Sequence, residues 1–255
     1  MYALFALIAF FATLAGAVFG IGGGVIIKPV MEAVSNLPLA HINALSGVTV
    51  LCMAAVSIAR YLKKGIDEPT ARIIWLSLGA VAGGFCGKYL FNLMRLTMPE
   101  AHAKALQYTL LTALMIAALL KHKFKSFTIN NPVALSLSGL FMGTLSAFLG
   151  IGGGPVNLLV IYVALGLDAK RAAVYSVAVI LFSQFAMTCL TAATGGYEEL
   201  NMRPLAAMIP AAIAGGLIGP ILHRKWELIR FERYYNYLLW ALIALNVYNI
   251  AHVLL

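Results

Sequence analysis

Three consecutive glycines occur twice in this chain, 130 residues apart, within Gly20-Ile21-Gly22-Gly23-Gly24 and Gly150-Ile151-Gly152-Gly153-Gly154. Each stretch lies inside a long apolar run. Glycine in a helix interior costs about 1 kcal/mol relative to alanine, so three in a row predict a break in an otherwise helical segment. The apolar runs cover roughly 2–34, 41–61, 70–94, 104–120, 132–166, 171–193, 203–222 and 234–254. A hydrocarbon core of about 30 Å needs about 20 such residues as helix. The runs are continuous rather than alternating, which excludes a β-barrel. Only 11% of residues are charged and 62% are hydrophobic, against about 25% charged in soluble domains. The fold class is therefore an all-α polytopic membrane protein. Backbone freed by a break within lipid is tolerated only where it is buried in protein or faces a water-filled cavity. Both GIGGG stretches are read on that basis as the floor of a site.

The halves match beyond the glycines. At an offset of 130, Ser46 falls on Ser176 and Gly65 on Gly195; at 132, Ala82-Gly83-Gly84 with Gly87 falls on Ala214-Gly215-Gly216 with Gly219; at 129, Tyr108 falls on Tyr237. The expectation is one domain, 1–255, made of two internal repeats, 1–126 and 127–255. If each GIGGG run crossed the membrane once, Lys and Arg would divide evenly between the two sides. If each enters and returns on the same side, thirteen Lys/Arg, from Arg60 to Arg233, collect on one side. The other side then holds only Lys88, Arg95, Lys104 and Arg203, with Lys28 set aside. Such asymmetry follows the positive-inside rule. It predicts a re-entrant, glycine-broken helix plus three transmembrane helices per repeat, repeats that are inverted, and both termini outside the cytoplasm. The net charge of +9 is thus a topology signal rather than a nucleic-acid footprint, and Met1 to Phe19 reads as a retained helix rather than a cleaved signal.

A broken helix that points its second half at a cavity offers unpaired N–H groups and a positive dipole end, both suited to an anion. The candidate binding groups are the amides of Gly22, Gly23, Gly24, Gly152, Gly153 and Gly154. Pro155 suits the first turn of a new helix, whereas Pro29 predicts a later start or a kink in the first repeat. Lys28 is either a charge at the site, since membrane lysines are costly, or a snorkelling side chain. Asn157 either orients a ligand oxygen or bonds a neighbouring helix. Asn43, Ser46 and Thr49 share a helix face, and Ser176 repeats Ser46; these hydroxyls and amides either donate to an anion or bridge helices. Thr144, Ser146 and Gln184 read as helix–helix bonds. Gly79, Gly83 and Gly87, with Gly215 and Gly219, form small-residue packing faces. Glu32 and His41 are the candidate groups for proton coupling. Histidines 41, 102, 122, 223 and 252 lie near run ends and read as solvated. Cys52, Cys86 and Cys189 read as small buried hydrophobes, not as disulfide or metal ligands. No nucleotide-binding loop, metal set, catalytic triad or pair of intramembrane carboxylates occurs, so neither an enzyme nor a cofactor is indicated.

The duplicated GIGGG with Pro29, the serine after each copy, and the AGGxxG closing each half resemble the TauE/SafE sulfite exporter family, also called the toluene sulfonate uptake permease family, over nearly the whole chain. The second half departs from the pattern, with Leu159 where the proline would fall and Pro155 instead. The resemblance implies a multi-pass permease of the cell (inner) membrane for sulfite, thiosulfate, sulfoacetate or another organosulfonate. The expected partners are a small anionic substrate and the lipid bilayer, with a homo-oligomer open. Alternatives are an anion channel with the same site and a non-transporting structural membrane subunit.

Overall fold

The computed structural model describes residues 2–35, 37–63, 70–198 and 200–254. The expected turn after Lys63, including Gly65, lies outside them. Ten α-helices follow in order: α1 (Tyr2–Phe19), α2 (Gly24–Val34), α3 (Leu39–Lys63), α4 (Thr70–Thr97), α5 (Glu100–Leu119), α6 (Pro132–Leu149), α7 (Gly154–Leu165), α8 (Ala169–Ala193), α9 (Leu205–Lys225) and α10 (Leu228–Leu254). Among the described residues there is no strand, and α1, α3, α4, α6, α8 and α9 are long and apolar enough to cross a membrane. The runs expected as spans over 104–120 and 234–254 became α5 and α10. Their apolar character is diluted by Gln107, Asn246 and Asn249, all buried. Asn249 Nδ2 donates to Pro29 O at 2.9 Å, so polar groups here fasten α10 to the helix carrying Pro29.

Close contacts give the helix directions. A Cβ placed on Gly215 would fall 2.3 Å from Thr13 Oγ1, and one on Gly219 2.4 Å from Ala17 Cβ, so α9 and α1 run in the same sense. Ser57 Oγ donates to Gly216 O and Tyr61 packs its ring on His223, so α3 runs with them. α1 and α3 therefore point the same way, and the chain between them doubles back at the first glycine stretch. The second half behaves alike. Gly79, Gly83 and Gly87 of α4 meet Ser136, Leu140 and Thr144 of α6 in step, and α4 also lies along α8, with Gly84 against Ser183. α3 and α8 run in opposite senses: the end of α3 (Tyr61) and the start of α8 (Lys170) both reach the last turn of α9.

The small-residue faces do what was expected of them, and their partners are informative. α4, from the first half, packs on α6 and α8; α9, from the second, packs on α1 and α3. α5 rests on α7 and α10 on α2, while α5 and α10 pair with each other. The halves are interlocked, each clothing the glycine hairpin of the other. The approach is close enough to need glycine: a Cβ on Gly79 would lie 1.9 Å from Ser136 O and one on Gly83 2.3 Å from Leu140 O.

Three expectations are corrected. Cys86 and Cys189 are exposed and Cys52 half-buried, because an apolar run can satisfy itself against lipid as well as protein. His223 and His41 are buried, not solvated, since α9 carries His223 into the bundle beside Tyr61 and Phe231 and the start of α3 packs His41 against Asn201 O. Tyr108 is buried whereas Tyr237 is 63% exposed, so this pair does not share an environment.

Gly79→Ala and Gly215→Ala are each expected to destabilise the protein by about 1–3 kcal/mol through forced overpacking. The check is thermal unfolding of detergent-solubilised protein followed by size-exclusion; wild-type melting of both variants would contradict it.

Candidate functional site

Both glycine stretches end one helix and start another. Gly20, Gly22, Gly150, Gly152, Gly153 and Gly154 all have positive φ, backbone that L side chains rarely adopt. Gly23, at φ −63°, and Gly24 are the exceptions, and there the constraint is space, since a Cβ on Gly23 would lie 2.9 Å from Thr13 Cγ2 and one on Gly24 would meet Ile151 O. Pro155 occupies the first turn of α7, as expected. α2 starts at Gly24 and accommodates Pro29 inside it, so the later start does not occur.

The two breaks touch. A Cβ on Gly24 would fall 2.3 Å from Ile151 O and one on Gly154 2.4 Å from Val25 Cγ2, bringing the N-termini of α2 and α7 together. The first N–H groups of each have no intrahelical acceptor. Two flanking contacts are reciprocal. Gly20 lies against Ala173 of α8, and Gly150 against Asn43 of α3; Gly22 lies against Ile180, and Gly152 against Val50. Asn43 and Ala173, and Val50 and Ile180, are each 130 positions apart, the same offset as the glycines.

The carbonyls left at the end of each first helix are bonded by the opposite half or by a neighbour. Ser176 Oγ donates to Gly20 O at 2.5 Å, His223 Nδ1 to Val18 O at 2.7 Å and Tyr61 Oη to Ala17 O at 3.4 Å. At the end of α6, Lys28 Nζ donates to Leu149 O at 2.7 Å and also to Gln107 Oε1, while Gln107 Nε2 donates to Phe148 O at 2.6 Å. Lys28 is buried rather than snorkelling, and its ammonium meets the negative end of the α6 dipole. Glu32 pairs with Lys104 at 2.8 Å and accepts from Tyr108 Oη at 3.3 Å; His41 Nε2 lies 2.7 Å from Asn201 O. Thr49 donates to Leu45 O within its own helix, and Gln184 Nε2 bridges to Ser146 Oγ at 3.4 Å, the helix–helix bond expected; Thr144, expected to make another, has its Oγ1 buried without a hydrogen bond.

Gln107→Leu is expected to lower stability by about 1–3 kcal/mol by leaving Phe148 O and Lys28 short of a partner. Denaturant titration in detergent checks it, and an unchanged midpoint would contradict the capping role.

A second set of predicted residues keeps polar atoms without a partner. Both amide atoms of Asn43, both of Asn157, Ser46 Oγ and Gln184 Oε1 are buried without a hydrogen bond. Leaving such groups unsatisfied costs about 1–3 kcal/mol each, and buried polar atoms in native proteins nearly always find a partner or an ordered ligand. Asn157 lies beside Gly153, and Asn43 beside Gly150. Asn43 also lines a cavity of about 380 Å³ between the start of α3 and the ends of α4 and α8. Its walls include Lys88, Phe91, Asn92 and Arg95 of α4, Ala147 of α6, and Met187 and Thr191 of α8. From this cavity one face of α3 descends to the breaks: Asn43 at Gly150, Gly47 at Gln184 and Met187, Val50 at Gly152. Asn43 is the predicted binding residue that the cavity wall includes. Lys88 and Arg95 counted only toward topology in the sequence. The signal was present, since 88, 91, 92 and 95 lie on one helix face, but it does not say which neighbour that face meets.

No curated protein and no solved structure matches the chain. The sequence model of one family, sulfite exporter TauE/SafE, matches residues 5–247. Glycine-broken helices within a ten-helix apolar bundle and a match over nearly the full length lead to one conclusion: this chain belongs to the TauE/SafE sulfite exporter family and is a transporter-family membrane protein.

Proposed function

We propose that the chain is a permease for a small sulfur-containing oxyanion, such as sulfite, thiosulfate, sulfoacetate or another organosulfonate, working by alternating access. The observation that carries this reading is Asn43: a buried amide with neither atom bonded, at the floor of a cationic cavity and against the first glycine of a helix break. An oxyanion entering there would accept from Asn43 Nδ2 and move toward the N–H groups of Gly22, Gly23, Gly24, Gly152, Gly153 and Gly154, with Ser46 and Asn157 as further partners. Lys28 and Ser176 act in this proposal by holding the carbonyls of the breaks, keeping negative ends bonded while the positive ends stay available.

Two inverted repeats, 1–126 and 127–255, in a single domain fit the reciprocal contacts at an offset of 130 and the opposite senses of α3 and α8. The moving bodies would not be the sequence halves. α1, α2, α3 and α9 form one unit and α4, α6, α7 and α8 the other, because the glycine faces join them so. A carrier rather than a channel is supported by the far end of this path, where Tyr61, His223, Phe231 and Phe19 pack ring on ring. By the positive-inside rule, the cavity would face away from the cytoplasm of the inner membrane, with both termini on its side.

Purified protein in proteoliposomes is expected to give saturable counterflow of labelled sulfite, thiosulfate or sulfoacetate. Asn43→Leu should cut it at least tenfold while leaving the melting temperature near wild type. Counterflow undiminished by Asn43→Leu would overturn the site, and no movement of any of these anions would overturn the permease. Stimulation by a pH gradient that Glu32→Gln or His41→Gln removes would identify the coupling group.

A further inference from the structure

We propose that Lys88 and Arg95 on the wall of the cavity form an entry site selective for doubly charged oxyanions, upstream of the glycine breaks. It takes its biological meaning from the transport reading, but the binding it predicts stands by itself. Lys88 Nζ lies 5.3 Å and Arg95 Cζ 5.9 Å from the centroid of the same Phe91 ring, so two positive groups share one aromatic face region. Among the described residues neither is paired with a carboxylate. Glu100, which shares a smaller neighbouring cavity with Arg95, is already engaged by the Leu39 N–H at 2.8 Å and by Lys104 at 3.4 Å. Below the pair, the unbonded amide of Asn43 closes the cavity. This is a chamber with two cations at the rim, a neutral donor at the base and about 380 Å³ of space, the lower end of the size range of small-ligand pockets.

The chemistry favours charge two over charge one. Like charges held near one ring repel, and a dianion relieves both at once, whereas a monoanion leaves one uncompensated. The guanidinium supplies a planar fork that grips two oxygens, and the ammonium a point charge. Asn43 then takes an oxygen as the anion descends. The position 130 residues on is Ala173, which lies against Gly20 and offers no amide there.

Isothermal titration of the detergent-solubilised full chain with thiosulfate, a dianion, and methanesulfonate, a monoanion, tests this at constant ionic strength and pH 6.5. Thiosulfate should bind at least tenfold more tightly. Arg95→Gln and Lys88→Gln should each remove that preference without shifting the melting temperature, and Arg95→Lys should keep part of it. Equal binding of the two anions by wild type, no thiosulfate binding, or an intact preference in both Gln variants would overturn the entry site. Wild type that binds thiosulfate with this preference but moves no anion in proteoliposomes would overturn the transport reading and leave the entry site standing. Transport with an unchanged half-saturation in both variants would overturn the entry site and leave transport standing.

Discussion

The contact between the two glycine breaks is what the remaining structure depends on. Gly24 sits on Ile151 O and Gly154 on Val25, at distances where any Cβ would collide. Bringing two chain reversals together inside an apolar bundle leaves carbonyls and amides without helical partners. The carbonyls at the helix ends are bonded by Ser176, His223, Tyr61, Lys28 and Gln107. The amides lie at the converging N-termini. Helix N-termini that converge in this way favour negative charge between them without a free cation at the centre, which is the basis of the proposed anion site. The bonding of the carbonyls accounts for a lysine buried beside the breaks whose ammonium faces carbonyls rather than open space.

A second consequence is mechanical. Each half donates its AGGxxG helix to the hairpin of the other, through backbone-to-backbone approaches that only glycine permits. Such faces are stiff, because close-packed surfaces have discrete rather than continuous arrangements. Motion under the proposed alternating access would therefore be concentrated between the two mixed bundles, where Gly47 of α3 meets Met187 of α8 and Asn43 and Val50 meet Gly150 and Gly152 of the α6–α7 break. The flexible methionine at Gly47 suits a surface that must repack.

Polarity along that contact is uneven. Positions related by 130 residues carry Asn43 against Ala173, so one break is watched by an amide and the other by a methyl group. The open cavity lies on the amide's side and the ring cluster of Tyr61, His223 and Phe231 at the opposite end. The contacts at the two breaks thus recur at one offset while the side-chain chemistry beside them does not.

Much of this was legible in the residues. Run length and continuity identify a helical membrane protein, triple glycines locate the breaks to within a residue, and the spacing of Gly79, Gly83 and Gly87 identifies a packing face. These properties are local, set by helix propensity, by the length of the apolar runs and by the absence of a Cβ. The Lys88–Arg95 face was equally visible as a pattern but mute as to meaning, since a charged helix face near a span's end reads the same whether it meets lipid headgroups or a cavity. Tertiary structure alone decided that α4 crosses to the second half and α9 to the first, that Lys28 serves the end of α6, that His223 is buried, and that Asn43 rather than its counterpart Ala173 stands at an opening. Each depends on which helices become neighbours, and in an environment where lipid and protein interior are equally apolar, hydrophobic pattern does not select between them.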